Sequence, residues 1–202
     1  MPNKNLVLFD FDGTITTKDS MLIFVKFCVG SFKYYTLLIS IGFVMILYKL
    51  GIKTQVKALF LSWAFKGISK EDLEKKGVAF CEQKLPSILN QQALDHIRFY
   101  KNQGDEICIV SASCLEWIKP WANQHELSLI STQLAYKNGL FNGNLDGKNC
   151  NGYQKVLAIK KTYSLEGFNQ IIAYGNSKGD QKMLDLADQP YFIKNGQYPP
   201  VR

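Results

Sequence analysis

The sequence lacks paired cysteines and membrane-spanning apolar runs, and it has almost no arginine. Its five cysteines are widely spaced and form no C-x-x-C pair, which argues against both a disulfide framework and a zinc site. No long apolar segment precedes the first predicted strand, so a secretory signal is not expected. These absences are typical of a reducing compartment, and we expect the protein in the cytoplasm. Its 202 residues suffice for one domain, or for a core with a smaller insertion.

One long segment also lacks negative charge. No Asp or Glu lies between Ser20 and Lys70. The wider segment 17–87 holds eleven lysines against five acidic residues, so residues 17–87 carry +6 of the net charge of +7. The lysines of the acid-free segment are Lys26, Lys33, Lys49, Lys53, Lys57, Lys66 and Lys70. Such a basic segment indicates an anionic partner, either a phosphate substrate or an anionic membrane. Nucleic acid is disfavoured because lysine lacks the two-pronged guanidinium that recognises bases and phosphates.

Two aspartates follow the first predicted strand. The segment DFDGT comes directly after the apolar run Leu6–Phe9. Side chains two residues apart leave a strand on the same side, so Asp10 and Asp12 should converge. Two carboxylates that close need a cation or a proton. Gly13 allows a sharp turn with its N–H near a ligand, and Thr14 adds a hydroxyl. A solvated acidic turn remains the alternative.

The hydrophobic pattern predicts an α/β protein. Residues 17–87 read as helices throughout, and from residue 88 onward helices alternate with strands. Asp19 or Ser20 could cap the first helix, Ser69 followed by Asp72 begins a later one, and the helix between them has an apolar face of Val56, Leu59, Phe60 and Trp63. The last predicted helix runs from Asp180 to Ala187. The predicted strands and hairpin are Asn5–Phe9, Glu106–Val110, Leu127–Ile130, Leu134–Leu145, Gln170–Tyr174 and Tyr191–Ile193. Alternation of this kind indicates a mostly parallel sheet with helices on both faces. Ligands of such sheets bind beyond the carboxyl ends of the strands.

Three further polar groups follow strands or begin helices. Ser111 opens the segment SAS after the second strand, GNSKGD ends at Asp180 after a later strand, and Lys155 lies in the first turn of a helix. Each alone could be a helix cap, a turn or a solvated lysine. Their order and their place in the predicted sheet favour a single site.

In this order, DFDGT, Ser111, Lys155 and GNSKGD resemble the four motifs of the haloacid dehalogenase superfamily. The helical insert after the first motif resembles the C1 cap of subfamily IB, the group of phosphoserine phosphatase-like and phosphatidylglycerophosphatase C-like enzymes. The resemblance implies a Rossmann-like core over residues 1–16 and 88–202 and a helical cap over residues 17–87. It also implies a Mg²⁺-dependent phosphomonoester phosphatase that works through an aspartyl-phosphate.

The resemblance assigns roles to individual residues. Asp10 would be the nucleophile, and Asp12 would protonate the leaving alcohol and then activate water. Lys155 would stabilise the Asp10 carboxylate and the phosphate. Substrate contacts would come from Gly13, Thr14, Asp19, Ser111 and Ala112. Asp19 lies where phosphoserine phosphatases carry a Glu, but a helix cap explains it equally well.

The same resemblance predicts a magnesium site formed by Asp10, Asp12, Asn176 and Asp180. Asp12 would contribute its backbone carbonyl. Many relatives carry Asp where this chain has Asn176, although an amide oxygen can still bind a hard cation. Three carboxylates then balance Mg²⁺ and Lys155, so the site is about neutral rather than −1. Direct ligation by Asn176 stays open.

The cap contains fifteen consecutive uncharged residues, Tyr34–Tyr48, between Lys33 and Lys49. A helix of this length covers about 22 Å, less than a bilayer core of roughly 30 Å, so it should not span alone. It could bury itself in a helical bundle, close over a nonpolar substrate, or lie in a membrane interface. We therefore predict a lipid or partly apolar phosphate substrate and peripheral contact with an anionic membrane at its inner face.

Two other functions remain as alternatives. A soluble metabolite phosphatase of the phosphoserine type would share the catalytic residues. A receiver-like signalling module also gathers acids, a hydroxyl and a lysine around Mg²⁺, but it has no large insert after its first strand. The sequence does not predict an oligomeric state.

Overall fold

The protein is built on one six-stranded sheet, described here from a computed structural model that covers residues 4–49 and 56–200. The strand order is β4-β3-β2-β1-β5-β6, and every neighbouring pair is parallel except β3–β4. The strands are β1 (Leu6–Phe9), β2 (Glu106–Cys114), β3 (Ser128–Lys137), β4 (Leu140–Asp146), β5 (Ile171–Gly175) and β6 (Gln189–Phe192). The predicted mostly parallel α/β fold is confirmed.

Strand β1 lies inside the sheet between β2 and β5, and all four of its side chains are apolar and fully buried. Phe9 pairs with Ile109 of β2 and with Tyr174 of β5. Both faces of a parallel sheet are covered by helices, so a central strand needs a continuous apolar run rather than an alternating one. This register brings the ends of three neighbouring strands to the same edge of the sheet.

Within the described residues, five α-helices separate β1 from β2 along the chain, and the first four of them fall within residues 17–87, the segment that we call the cap. The helices of the molecule are α1 (Ser20–Val29), α2 (Ser31–Lys49), α3 (Val56–Phe65), α4 (Lys70–Gln83), α5 (Gln91–Asn102), α6 (Leu115–Gln124), α7 (Tyr153–Thr162) and α8 (Gln181–Leu184). Asp19 caps α1 by accepting the N–H of Leu22, and Ser69 caps α4 by accepting that of Asp72. The domain boundaries at 17 and 87 stay a prediction, and Lys53 lies outside the described residues.

Several details differ from the predicted pattern. Strand β2 continues past Val110 to Cys114, and the predicted strand Leu127–Ile130 is continuous with the first strand of the predicted hairpin as β3, because β2 and β3 pair with each other over this stretch. Helix α8 ends at Leu184 instead of Ala187, because the chain tightens into three-residue turns that lead directly into β6. Helix α3 buries Phe60, Leu61, Ala64 and Phe65, whereas the predicted face included Trp63, which is 38% exposed. The buried face is rotated because α3 packs against β4 as well as against α1 and α2.

The cap and the core share one apolar cluster. The ring of Phe24 on α1 stacks on Trp117 of α6 with centroids 4.9 Å apart, and it meets Phe65 and Phe80 edge-on. The Trp117 indole N–H also donates to the Ser20 hydroxyl at 3.1 Å. Aromatic contacts of this kind fix the direction from which α1 crosses the core.

The turn between α3 and α4 pairs with the β3–β4 hairpin. The Gly67 N–H donates to the Phe141 carbonyl at 2.9 Å, the Phe141 N–H donates to the Ile68 carbonyl at 2.9 Å, and the Lys70 N–H donates to the Gly139 carbonyl at 2.8 Å. The cap is therefore fastened to the core at the hairpin as well as at α6.

Helix α2 is apolar on its outer face as well as its inner one. Leu37 faces the cluster and is buried. The outer side chains and their exposed fractions are Phe32 (87%), Tyr35 (53%), Ile39 (76%), Phe43 (63%) and Ile46 (57%). Within the described residues, no helix combines the length and the apolarity needed to cross a bilayer. Self-burial of α2 is therefore incomplete.

Candidate active site

The ends of β1, β2 and β5 bring the predicted residues to one place. Asp10 follows β1 and is 6% exposed. Its backbone N–H donates a hydrogen bond to the Tyr174 carbonyl of β5 at 2.9 Å. Ser111 lies near the end of β2, and Asp180 follows β5 on the loop that leads to α8. The convergence is the one expected at the carboxyl edge of a parallel sheet.

Lys155 holds the two buried carboxylates together. Its ammonium donates to Asp10 Oδ1 and to Asp180 Oδ1, each at 2.6 Å, and to the Val110 carbonyl at 2.7 Å. The side chain is only 1% exposed. Burial alone would lower the pKa of Lys155, but the two carboxylates raise it, so the ammonium stays charged. All three of its N–H groups have acceptors.

The two carboxylates on Lys155 differ in pKa. Burial raises the pKa of Asp10 to about 7, because the effect of Lys155 is smaller and Asp180 adds repulsion. Asp180 is also buried, but Lys155 and hydrogen bonds from Ser177 hold its pKa below the usual range. Asp180 therefore stays ionised, while Asp10 needs additional positive charge to ionise fully.

Asp12 is held by groups of the cap and of β2. Its Oδ1 accepts the N–H of Ser20 at 2.6 Å, and its Oδ2 accepts the hydroxyl of Ser113. Burial raises the pKa of Asp12 even though both hydrogen bonds oppose the shift. A raised pKa suits a group that must carry a proton before it gives one away. The role of Ser113 was not predicted, although its spacing of two from Ser111 on a strand was available from the sequence.

Ser111 is oriented by its own strand end. Its Oγ accepts the N–H of Ser113 at 3.0 Å, so the hydroxyl hydrogen of Ser111 remains to be donated elsewhere. Ser111 is 1% exposed. A hydroxyl fixed in this way can donate to a phosphoryl oxygen placed beside Asp10.

Asn176 packs directly on Gly13. Gly13 has φ of +81°, and a Cβ built on it would come within 2.0 Å of Asn176 Nδ2. The Gly13 N–H donates to the Thr16 hydroxyl at 3.4 Å. The structure thus uses Gly13 for the turn and for close packing, and a substrate contact from its N–H stays a prediction.

The oxygens near Thr14 test whether a magnesium ion fits. The Thr14 hydroxyl lies 3.4 Å from Asp10 Oδ2 and 3.4 Å from Asn176 Oδ1, so one small group reaches both oxygens. Carboxylate, amide and carbonyl oxygens are the donors that Mg²⁺ prefers. No group of three His, Cys, Asp or Glu side chains with metal-site spacing occurs among the described residues, and the magnesium site stays a prediction.

Asp180 is already engaged. Its Oδ2 accepts the N–H groups of Asn176 and Ser177 at 3.2 and 2.9 Å and the Ser177 hydroxyl at 2.7 Å, while its Oδ1 accepts Lys155. Asp180 therefore shapes the loop after β5 and positions Lys155. A metal contact from Asp180 stays a prediction.

A cavity of about 220 Å³ lies over the acids and Lys155, whereas the predicted site residues Gly13, Thr14, Ser111 and Asn176 are not among its lining residues. Its lining residues are Asp10, Asp12, Asp19, Met21, Lys57, Ala112, Ser113, Asn151, Lys155, Ser177 and Asp180. Asp19 thus caps α1 and also faces the cavity, so both of its interpretations remain compatible with the structure. Lys57, which comes from α3 of the cap, was not predicted.

A larger cavity of about 570 Å³ lies between α5 and strands β5 and β6. It is lined by aromatic, amide and proline side chains, with no lysine or carboxylate among its described lining residues. The smaller cavity contains the acids and the lysine that phosphoryl chemistry requires. We therefore take the smaller cavity as the candidate active site.

Solved structures with the same fold include enzymes and a protein of unknown function. A crystal structure of a protein of unknown function from Bordetella pertussis Tohama I has a TM-score of 0.79 at 22% identity and covers 92% of this chain and 87% of that one. A substrate-bound phosphoserine phosphatase complex has a TM-score of 0.65 at 20% identity, with coverage of 93% and 84%. At these identities the likeness concerns the fold.

Sequence comparison identifies the family. Protein CicA from Caulobacter vibrioides is 31% identical over 187 residues, which are 91% of this chain and 83% of that protein. The family model for haloacid dehalogenase-like hydrolases matches residues 7–185, from the first strand to the segment after Asp180. The chain therefore belongs to the haloacid dehalogenase-like hydrolases.

Proposed function

We propose that this protein is a Mg²⁺-dependent phosphomonoesterase that works through an aspartyl-phosphate on Asp10. The observation that carries the proposal is the pair of bonds from Lys155 to Asp10 and Asp180, each 2.6 Å long. Asp10 lines the cavity together with Asp12, and Ser111 lies near the end of the neighbouring strand β2 with its hydroxyl oxygen held by the Ser113 N–H. A nucleophile, a proton donor and positive charge are what in-line phosphoryl transfer needs.

The proposed reaction has two halves. In the first, the Asp10 carboxylate bonds to phosphorus as the bond from phosphorus to the ester oxygen breaks, and Asp12 gives its proton to the departing oxygen. In the second, Asp12 takes a proton from water, whose oxygen attacks phosphorus and releases phosphate from Asp10. Lys155 and Ser111 stabilise the phosphoryl oxygens in both halves.

Magnesium would be held by Asp10, by the backbone carbonyl of Asp12 and by Asn176, with Asp180 as the remaining predicted ligand. When bound, it would supply positive charge that favours the ionised form of Asp10 and offsets the charge of the phosphate. The close approach of Asn176 to Gly13 and Thr14 supports its place in this set.

The proposed substrate is a lipid or partly apolar phosphate, taken from an anionic membrane surface. The exposed apolar face of α2 and the absence of acids between Ser20 and Lys70 support it. Phe and Ile side chains that leave water contribute about 1.5–3 kcal/mol each, and lysines near anionic headgroups add about 1 kcal/mol each. The predicted position at the inner face of the membrane belongs to this proposal.

A soluble phosphatase of the phosphoserine type is the second candidate. The structural likeness to phosphoserine phosphatases and the presence of Asp19 at the cavity favour it. The receiver-like alternative is disfavoured by the family match and by the four helices inserted after β1.

Release of inorganic phosphate tests the proposal. We expect Mg²⁺-dependent release from a panel containing phosphatidylglycerophosphate in mixed micelles and phosphoserine, with EDTA abolishing it. Asp10→Asn should lower the rate about a thousandfold or more while circular dichroism stays unchanged. Asp95→Asn, an exposed acid on α5, is the matched control and should behave as wild type. Unchanged turnover in Asp10→Asn would refute the nucleophile, and preference for phosphoserine would favour the second candidate.

A further inference from the structure

Lys57 is a cap residue that reaches into the core at the catalytic edge of the sheet. It lies in the first turn of α3, and its ammonium donates to the Ala112 carbonyl and to Asn149 Oδ1, the latter at 3.1 Å. It also lines the cavity over Asp10. It takes part in none of the ion pairs formed by the described residues. Its two acceptors are neutral.

The two acceptors of Lys57 lie on strand β2 and in the loop between β4 and α7. Asn149 Oδ1 also accepts the Thr132 hydroxyl of β3 at 2.9 Å, and Thr132 Oγ1 accepts the N–H of Cys150 at 3.0 Å. Asn149 is thereby anchored in the loop that precedes α7, the helix of Lys155. Through the two hydrogen bonds of its Nζ, Lys57 thus links the cap to the end of β2 and to this loop.

Both polar groups of the peptide between Ala112 and Ser113 are hydrogen-bonded. Its carbonyl accepts Lys57, and its N–H donates to Ser111 Oγ at 3.0 Å. The side chain of Ser113 then donates to Asp12. A rotation of this peptide would therefore turn the Ser111 hydroxyl and move the group that holds Asp12.

We propose that Lys57 is a positioning residue that orients the Ala112–Ser113 peptide, and through it Ser111 and Asp12, for phosphoryl transfer. The inference rests on the proposed phosphatase function and deepens it. The phosphoryl-binding end of β2 is complete only while α3 of the cap is docked over it. Lys57 acts on the reacting groups through the peptide, so its removal affects the transition state more than the binding of substrate.

Steady-state kinetics with p-nitrophenyl phosphate test this inference. Lys57→Met keeps the length of the side chain but removes the donors, and we expect kcat to fall roughly tenfold to a hundredfold with KM changed less than about twofold. Lys57→Arg retains a donor for each acceptor and should recover most of kcat. Lys66→Met removes the same charge from the residue that follows α3, away from the cavity, and should match wild type.

The possible outcomes separate this inference from the proposed function. If wild type is active, Asp10→Asn is inactive and Lys57→Met is unchanged, the positioning role of Lys57 is refuted and the proposed function stands. A rise in KM without a fall in kcat would also overturn it, because that result assigns Lys57 to substrate binding. A midpoint of thermal unfolding close to wild type for Lys57→Met supports the inference, whereas a loss of folded protein that accounts for the loss of kcat contradicts it. An inactive wild type would refute the proposed function itself.

Discussion

The buried ammonium of Lys155 decides how the acids of the site behave. Two carboxylates and a carbonyl accept its hydrogen bonds, so the ammonium keeps its charge although it is buried. Removing it would leave Asp10 and Asp180 as uncompensated buried charges, a change that costs about 3–5 kcal/mol in other proteins. Lys155 therefore stabilises the folded site, and a loss of activity on its removal would show a catalytic role only if the variant is also shown to be folded.

His96 shows how hydrogen bonds fix a tautomer. The Pro199 carbonyl can only accept, so Nε2 of His96, 2.9 Å away, carries the hydrogen, and Nδ1 accepts from the Tyr174 hydroxyl at 3.1 Å. The Tyr174 oxygen in turn accepts from Tyr100 at 2.9 Å. This arrangement is the one that a neutral ring makes, and burial favours the neutral form by lowering the pKa of His96.

We predict that His96 makes stability depend on pH in mild acid. Its folded pKa lies below the unfolded value, so the unfolded chain binds more protons and stability falls as pH drops through about 6.5. His96→Phe should cost about 1–3 kcal/mol at pH 7.5 by leaving Tyr174 and Pro199 without their partner. Urea unfolding at pH 7.5 and 5.5 should show a smaller pH effect in the variant. An equal pH effect in both proteins would contradict the assignment.

Helix α4 lies against α6 because it carries a glycine at the crossing. A Cβ on Gly77 would stand 1.9 Å from the backbone carbonyl oxygen of Glu116 and 3.0 Å from its carbon. Glycine inside a helix normally costs about 1 kcal/mol relative to alanine. The chain accepts that cost at Gly77 because the close approach brings Trp117 of α6 under Phe24 of the cap.

Alanine at two glycines of the cap separates packing from helix propensity. Gly77→Ala should destabilise the protein by about 1–3 kcal/mol, because the contact is with backbone that cannot rotate away. Gly42→Ala in α2 meets nothing within 4 Å and should stabilise by up to about 1 kcal/mol. Thermal unfolding of both variants checks the pair. Equal behaviour of the two would show that α4 and α6 are further apart than described.

The whole molecule is asymmetric in both charge and apolarity. The cap carries +6 of the net charge of +7, and the exposed apolar face of α2 lies in the same segment. A surface that combines lysines with exposed Phe and Ile side chains suits the boundary between headgroups and acyl chains. Met21 and Lys57 of the cap also line the cavity over Asp10, so the cap contributes both to this exposed face and to the cavity.

Vesicle binding tests this arrangement. We predict that the protein binds vesicles containing phosphatidylglycerol and that high salt weakens the binding, since headgroup attraction is screened. Ile39→Glu with Phe43→Glu should reduce binding at least tenfold. Phe192→Glu with Leu157→Glu, two exposed apolar residues of the core, has the same charge change and should bind as wild type. Equal binding of both double variants, or no binding by wild type, would refute the proposed membrane contact.

Local pattern was enough to predict the sheet and the order of the motifs. The apolar run of β1, the caps Asp19 and Ser69, and the polar groups after β1, β2 and β5 depend on residues close together in the chain. The face of α3 was predicted wrongly because it depends on a second neighbour, strand β4, which no periodicity reveals. Ser113 and Lys57 were missed for a related reason, since a serine and a lysine acquire roles only from what they touch.

The sequence by itself determined the fold class, the family and the segments that carry the acids, because alternation of strands and helices and the spacing of polar residues are written in adjacent positions. Only the tertiary structure decided that Lys155 joins Asp10 to Asp180, that Asn176 packs on Gly13 and that Lys57 grips the end of β2. Those contacts join residues up to 163 positions apart along the chain, a separation given by the numbering of Gly13 and Asn176. Hydrogen bonds and close packing act over a few ångströms, and the distance between such residues is set only when the sheet has formed.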